Sequence, residues 1–471
     1  MELNLKLNFF IYLQITAAFD SSKLPSELRN YMLLFLDLIL ESPVKLESGE
    51  LLPYEAVVSA LESNTIAYET SLGLQSASRF GCGPFSNTWT MSIQAETRKF
   101  EEATSWLTNL IFNSVFTQER IHINASKMVN DIATAKRNGY DMAKELMKAI
   151  YFKKDTNVAL NSVLTQHTFL NDVVEKLKNE ETCKKVIDDL NQLRSLMLPT
   201  MTVHLALNLE LTKDIKTPMA SLIEKFTKLN KAPLEKLPVT FDSSLMIAEG
   251  TLDAENTGTI VGIGCVESGY LFQSSPGVTS FMDPDLPAIL LHLQYLSQLE
   301  GPMWKKIRKN SYGYNVIPKP NEGIMVFSLY RATNLFDAFK DAKTIVEAQL
   351  KENSKFDQTL LESAKSSLIF EIIEREKTIG DLVSQAMLNS FKGVTPEYNK
   401  FLVERVANVS IDDLRRVGAK YFTNMFSKDA AKLVIVCHPD KVDSVSEQFK
   451  EFGHNLKISS SLESSLLSGC N

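Results

Sequence analysis

The sequence contains few of the residues that build metal sites and disulfides. Its 471 residues include five cysteines and six histidines. The cysteines are Cys82, Cys183, Cys265, Cys437 and Cys470. They are far apart and form no CxxC pair, which argues against a cysteine-based zinc site and against a disulfide framework. Unpaired thiols are typical of a reducing compartment, so we expect a cytoplasmic protein, with the mitochondrial matrix as the alternative location.

The sequence also lacks long apolar runs and an excess of basic residues. No stretch approaches the roughly 18 consecutive apolar residues of a membrane-spanning helix. Lysine and arginine number 50 against 57 aspartates and glutamates, which gives a net charge of −7. Proteins that bind nucleic acids usually carry a basic surface. We therefore expect neither a membrane nor a nucleic acid as a partner.

The histidines lack the spacing of a zinc site on a helix. They are His122, His167, His204, His292, His438 and His454. Two zinc ligands on one helix must lie about one turn apart, and no pair here has HxxxH, HxxEH or HExxH spacing. His292 lies among leucines in an apolar helix, so we interpret it as a core histidine. The sequence therefore predicts that this chain binds no metal ion.

Hydrophobic periodicity predicts two α+β halves with the same order of elements. In the first half we expect a strand over 3–19, a helix from Pro25, strands near 65–75 and 88–96, helices over 98–195 and a strand over 202–207. In the second half we expect a strand over 257–266, a helix after 283–287, strands near 313–317 and 323–331, helices over 334–425 and a last strand over 433–436. The first strand begins at the start of the chain, so we expect further sequence upstream.

A local repeat supports a duplication. Residues 19–25 (FDSSKLP) resemble residues 281–287 (FMDPDLP), and an amphipathic helix follows each segment. We expect each domain to be a mostly antiparallel sheet with long helices packed on one face. The predicted organisation is an α+β domain over 1–211, a proline-containing linker over 212–245, a second α+β domain over 246–458 and a loose serine-rich tail over 459–471.

The segment 299–316 (LEGPMWKKIRKNSYGYNV) has the side chains best suited to bind a peptide. It predicts a helix end that carries Arg308, a turn, and a strand start that carries Tyr314. Arg308 offers five N–H donors and Tyr314 one O–H donor, and both groups could point at one peptide carbonyl. On chemistry alone, a surface arginine and a tyrosine packed at a strand end remain the simpler interpretation.

Several segments resemble a known family. Residues 266–273 (VESGYLFQ) and 299–314 together are similar to the C-terminal part of the pitrilysin/insulinase zinc metallopeptidases, and especially to the presequence-protease branch. Residues 13–28 resemble the opening strand and helix of the third domain of that branch. Residues 410–416 (SIDDLRR) resemble a late helix, with Ser410 and Asp413 placed as a capping box. The resemblance covers nearly the whole chain.

The resemblance implies four related α+β domains in two halves that enclose a chamber, with the zinc motif HxxEH in the first domain. The helices over 25–40 and 286–299 take the place of the helix that bears this motif, and they have aliphatic residues instead of paired histidines. The chain thus resembles domains three and four, the half without zinc. The implied partners are a peptide substrate and a zinc-bearing N-terminal half, in the same or a partner chain.

The resemblance also implies a role for the two candidate residues. Arg308 and Tyr314 match an arginine and a tyrosine that bind the substrate backbone and polarise the scissile carbonyl opposite the zinc. The turn after Arg308 departs from the family's glycine-containing pattern, and Tyr312 is therefore a second candidate. A non-catalytic scaffold, related to mitochondrial processing peptidase or to respiratory-complex core proteins, is the alternative function. The arginine–tyrosine pair favours the peptidase half, because a scaffold does not need it.

Overall fold

The computed structural model describes residues 12–76, 79–206, 224–227, 235–247, 250, 252, 255–351, 355–465 and 467. The chain divides into two compact units. The first unit is drawn from Met1–Ala133, Lys154–Thr240 and Thr378–Leu388, and the second from Thr134–Lys153, Phe241–Lys377 and Asn389–Asn471. Residues 3–11 of the predicted first strand and most of the predicted linker lie outside the described residues. The linker therefore stays a prediction.

The first unit is built on a four-stranded antiparallel sheet. The strands of this unit are β1 (Tyr12–Asp20), β2 (Val44–Lys45), β3 (Leu51–Leu52), β4 (Ala67–Leu72), β5 (Thr88–Glu96) and β6 (Met201–Ala206). The sheet order is β4-β5-β1-β6, and β2 and β3 form a separate short hairpin. The helices up to β6 are α1 (Ser26–Arg29), α2 (Met32–Leu40), α3 (Tyr54–Asn64), α4 (Phe100–Asn113), α5 (Gln118–Ala135), α6 (Gly139–Tyr151), α7 (Asn157–Leu160), α8 (Val163–Lys176) and α9 (Glu180–Met197).

Alternating apolar residues create the core of this unit. In β5, Trp89, Met91 and Ile93 are fully buried, as the period of two along a strand requires. The Phe19 ring of β1 stacks on the Trp89 indole with their centroids 4.3 Å apart. The apolar stripe predicted after Pro25 is also buried, but the helix is divided into α1 and α2.

The second unit is built on a six-stranded sheet. Its strands are β7 (Gly258–Gly262), β8 (Gly269–Pro276), β9 (Ser311–Lys319), β10 (Ile324–Ala332), β11 (Lys432–Cys437) and β12 (Leu456–Ser459). Its α-helices beyond β8, which include one shared with the first unit, are α10 (Leu286–Ser297), α11 (Pro302–Ile307), α12 (Leu335–Gln349), α13 (Gln358–Glu374), α14 (Ile379–Lys392), α15 (Tyr398–Ala407), α16 (Ile411–Val417), α17 (Thr423–Met425) and α18 (Val442–Lys450). A π-helical turn, Gly418–Phe422, joins α16 to α17.

The two sheets confirm the predicted α+β fold. The second sheet has the order β12-β7-β11-β8-β10-β9, and its four strands β9-β10-β8-β11 repeat the order and chain sequence of β4-β5-β1-β6. Strand pairs are antiparallel except β7 with β11 and β7 with β12. Long helices cover the face that carries Leu271 and Phe327 and form one hydrophobic core with it. The mostly antiparallel sheets and the helical layer agree with the prediction.

Two details of the second unit differ from the prediction. The strand expected over 257–266 is present as β7, but it ends at Gly262, and a separate strand that was not predicted, β8, begins at Gly269. The strand predicted over 433–436 is β11, and it is not the last, since α18 and β12 follow it. Within the predicted tail, Leu462 and Leu467 are buried.

Each unit includes a helix from the other half of the sequence. Helix α6 packs against β8 and β11, on the face opposite the helical layer, where the Tyr151 hydroxyl lies 2.7 Å from the Ser274 hydroxyl. The first part of α14 belongs to the first unit, and Val383 packs there against Ala206 and Tyr12. We refer to this feature as the helix exchange. In the described ranges, no helix combines the length and the apolar character that crossing a bilayer requires.

Candidate functional site

The segment that carries Arg308 and Tyr314 joins helix α11 to the edge strand β9. Gly301 is the N-cap of α11, and Pro302 follows at the first helical position, where the missing N–H of proline costs nothing. A Cβ on Gly301 would lie 2.8 Å from the Gln298 carbonyl oxygen, so this close approach requires glycine. The helix ends with Arg308 at its C-cap, and β9 then pairs with β10 at the edge of the sheet.

The exposed side chain of Arg308 contacts Tyr312. Its Nη1 donates a hydrogen bond to the Tyr312 carbonyl oxygen at 2.8 Å, and its Cζ lies 5.4 Å from the centroid of the Tyr312 ring. Tyr312 itself is 66% exposed. A guanidinium at this distance from an aromatic ring is attracted to the face of the ring. The alternative tyrosine is therefore the one that the arginine touches.

Tyr314 has a different environment. Its ring is half-buried against the hydrophobic core of the second unit, and its hydroxyl donates a hydrogen bond to the Ser297 carbonyl oxygen at 3.1 Å. Burial raises the pKa of Tyr314 to about 12, although the nearby charge of Arg308 opposes this shift. The hydroxyl is thus a protonated donor at neutral pH, and a carbonyl of the chain already accepts its proton. The role predicted for Arg308 and Tyr314 stays a prediction.

The histidine in helix α10 belongs to the hydrophobic core. His292 is 1% exposed, and its Nδ1 donates a hydrogen bond to the Leu414 carbonyl oxygen at 3.1 Å. Burial lowers the pKa of His292 to about 4, so the ring is neutral at physiological pH. The interpretation of His292 as a core residue is confirmed. Across the described part of the chain, no three or more histidine, cysteine, aspartate or glutamate side chains are grouped so that they could hold a metal ion.

A group of four tyrosines lies beside the Arg308 turn. This tyrosine cluster consists of Tyr140 of α6, Tyr270 of β8, Tyr312 of β9 and Tyr330 of β10. The centroid of the Tyr330 ring lies 5.3 Å from that of Tyr140, 5.6 Å from that of Tyr270 and 6.3 Å from that of Tyr312. The cluster was not predicted, because its members come from four elements that are far apart in the sequence.

Arg331 adds a second cation to the cluster. It lies in a β-bulge where the pairing of β10 with β8 shifts between Leu329 and Ala332, and its φ is 50°. This left-handed conformation is unfavourable for residues other than glycine, and such positions are concentrated at functional sites. Its Cζ lies 5.4 Å from the centroid of the Tyr330 ring. The sequence gives no local signal for this bulge.

Comparison of the sequence with known proteins identifies longer relatives. No family model matches the chain. It is 25% identical to uncharacterized proteins of Caenorhabditis elegans, Schizosaccharomyces pombe and Saccharomyces cerevisiae, over 444, 464 and 454 residues. These alignments cover 93%, 95% and 93% of this chain but 43%, 44% and 42% of the relatives. The chain thus spans less than half the length of the curated relatives that it matches.

Solved structures share the fold at low sequence identity. A conserved protein from Enterococcus faecalis has a TM-score of 0.67 at 12% identity, with 93% of this chain and 96% of that chain covered. A peptidase M16 inactive domain from Pseudomonas fluorescens has a TM-score of 0.63 at 13% identity, with 93% and 94% covered. The chain shares the fold of this inactive peptidase domain. A protease from Helicobacter pylori has a TM-score of 0.60 at 10% identity, with 92% and 96% covered.

Proposed function

We propose that this chain is the substrate-chamber half of a zinc metalloendopeptidase that degrades peptides, in the presequence-protease-like branch of the pitrilysin/insulinase enzymes. The observation that carries the proposal is the fold that 93% of the chain shares with a peptidase M16 inactive domain. Because the chain spans less than half of its longer relatives, we propose that the zinc ion and the water that it activates come from an N-terminal half. Alone, this chain has no peptidase activity.

Arg308 and Tyr314 contribute to substrate binding in this proposal. Negative charge builds on the scissile carbonyl oxygen in the transition state, and a donor already aimed at that oxygen typically contributes about 10²–10³ in rate. Arg308 is exposed and makes no ion pair with a carboxylate in the described part of the chain. Tyr314 must exchange its hydrogen bond with Ser297 for one with the substrate. Tyr312 is the alternative donor, since it is exposed beside Arg308.

The proposal is tested by restoring the missing half. The chain is mixed with a separately expressed half that carries HxxEH from a pitrilysin/insulinase enzyme, and cleavage of a peptide is measured. We expect cleavage only in the mixture, and kcat/KM about 100-fold lower with Tyr314→Phe. Arg308→Lys keeps the charge but loses the fork of donors, so kcat/KM also falls. The melting temperature should change little, and Arg405→Lys is the control because Arg405 is exposed on helix α15, outside the segment 299–316.

The possible outcomes separate the interpretations. If Tyr312→Phe impairs cleavage while Tyr314→Phe does not, Tyr312 is the donor to the substrate. If neither tyrosine nor Arg308 affects cleavage, these residues do not support catalysis. If the mixture cleaves no peptide, the proposal that this chain is a peptidase half is wrong.

A non-catalytic scaffold is the second candidate function. One observation favours it: the Tyr314 hydroxyl is engaged by Ser297 within the same unit, which is the arrangement expected of a tyrosine with a structural role. Under this alternative the chain stabilises a partner without contacting substrate. For either function we propose the cytoplasm as the location, with the mitochondrial matrix as the alternative. The described thiols, Cys82, Cys183, Cys265 and Cys437, form no disulfide.

A further inference from the structure

We propose that Arg331 and the tyrosine cluster bind an acidic side chain of an extended peptide. The inference rests on the proposed function, because it assigns a preference to the peptide that this half binds. Its central residue is Arg331, beside which Arg308 adds positive charge, and it concerns a part of the peptide other than the scissile bond.

The backbone at Arg331 directs its side chain to the cluster. A β-bulge inserts one extra residue into a strand and changes the direction of a side chain at that point. Here the extra residue is an arginine in the left-handed conformation, where glycine or asparagine would be less strained. The guanidinium lies over the ring of Tyr330, and the Tyr330 ring contacts that of Tyr270. This contact with the ring restricts the orientations of an exposed arginine, which reduces the entropy that it loses when it binds a ligand.

The charge of the site is not balanced. Arg331 and Arg308 are both exposed, and among the described residues neither forms an ion pair with an aspartate or a glutamate. Other arginines do: Arg416 pairs with Asp285, Arg120 with Glu41, and Arg375 with Glu371. Since a guanidinium binds a carboxylate through two parallel hydrogen bonds, the two unpaired arginines beside the cluster match an anionic group.

The surroundings favour a side chain of a passing peptide over a peptide terminus. Tyr312 is exposed on β9, which is an edge strand of the sheet, and an extended chain can lie along such an edge. Tyrosine rings offer apolar surface to the peptide and a hydroxyl at the tip. Because Arg331 and Tyr312 are both open to solvent, the peptide can continue on both sides of the side chain that binds. The ligand is therefore an internal aspartate or glutamate.

The test measures peptide binding to the 471-residue chain by calorimetric titration, without a zinc-bearing half. The probes are an acetylated, amidated peptide with one central glutamate, the same peptide with glutamine, and the glutamine peptide with a free carboxyl terminus. We expect the glutamate peptide to bind roughly five- to tenfold more tightly than the glutamine peptide. Higher salt should reduce this difference, because the charges are exposed.

Arg331→Asn removes the guanidinium. Asparagine adopts the left-handed backbone conformation readily, so we expect the fold to be retained. It should remove the preference for glutamate and leave the affinity for the glutamine peptide unchanged. Tyr330→Leu removes the ring over which Arg331 lies and should reduce the preference in part, whereas Arg405→Gln, on helix α15, should have no effect. Equal binding of the glutamate and glutamine peptides, or a preference for the free carboxyl terminus, overturns the inference but leaves the proposed function intact. If none of the peptides binds, the inference is also wrong, and cleavage by the mixture with a zinc-bearing half then decides whether the proposed function stands.

Discussion

Asp285 should be a major source of stability in the second unit. Its side chain is 7% exposed and lies at the N-cap of α10. One carboxylate oxygen accepts a hydrogen bond from Arg416, and the other accepts bonds from Lys420 Nζ at 2.9 Å and the Tyr421 hydroxyl at 3.0 Å. The donors come from the end of α16 and the π-helical turn. This carboxylate therefore connects the start of α10 to Arg416, which lies 131 residues later in the chain.

Asp285→Asn tests the connection with almost no change in shape. The amide supplies one acceptor and one donor, so in either orientation its NH₂ group faces Arg416 or the Lys420–Tyr421 pair. Hydrogen bonds to charged groups are worth about 1.5–3 kcal/mol each, and the exposure of the basic partners reduces this value. We expect a loss of about 2–3 kcal/mol, which corresponds to a decrease of roughly 5–10 °C in the melting temperature of a unit of this size.

The measurement is differential scanning calorimetry of the full chain. The control is Asp412→Asn, which breaks an ion pair with Arg415 at 3.2 Å in which Asp412 is 91% exposed; it should change the melting temperature little. A loss for Asp285→Asn no larger than that of the control would show that Asp285 contributes no more than a surface ion pair.

The pH dependence of stability gives a second check. Burial would raise the pKa of Asp285, but its hydrogen bonds with Arg416, Lys420 and Tyr421 outweigh burial and lower it. The stabilisation is therefore present above the ordinary pKa of about 3.9 and is lost as the pH falls through the pKa of the folded state.

Three further predictions concern stability. Because burial lowers the pKa of His292 to about 4, the wild-type chain should lose stability as the pH falls from 6.5 to 4. The urea midpoint of His292→Leu should fall less over that range. Equal decreases in the two midpoints would contradict this prediction. In Gly139→Ala the new Cβ would lie 2.6 Å from the Tyr270 ring, so the melting temperature should fall, while Gly264→Ala, with no atom within 4 Å, should leave it unchanged. Ser410→Ala should cost about 1 kcal/mol in urea unfolding; no loss would mean that the capping box is dispensable.

The parts of the fold that local sequence determines were predictable. The capping box predicted from Ser410 and Asp413 is present at the start of α16, with both reciprocal hydrogen bonds. Strand β5 was predicted within its observed bounds, because one of its faces is buried and its apolar residues alternate. In these elements neighbouring residues alone decide the structure, through the period of side chains along a strand or the donors at a helix end.

Strand β8 was missed because its residues do not alternate. Its first seven residues are all buried, since the core covers one face and α6 covers the other. A strand buried on both sides appears in the sequence as a continuous run, and no strand was predicted over this run. The tyrosine cluster was missed for a related reason, because Tyr140 contacts Tyr330 only as a result of α6 belonging to the second unit. Neither feature can be recognised without knowing the helix exchange.

The helix exchange also determines the order in which the chain can fold during synthesis. The first unit needs residues 378–388, which the ribosome adds long after the four strands of its sheet are complete. At roughly 5–20 residues per second, residue 388 is added about 7–30 s after residue 240. During this interval the nascent first unit lacks one of its helices, and the surface around Ala206 that Val383 covers is available to a chaperone. A fragment that ends near residue 240 would remain permanently in that state.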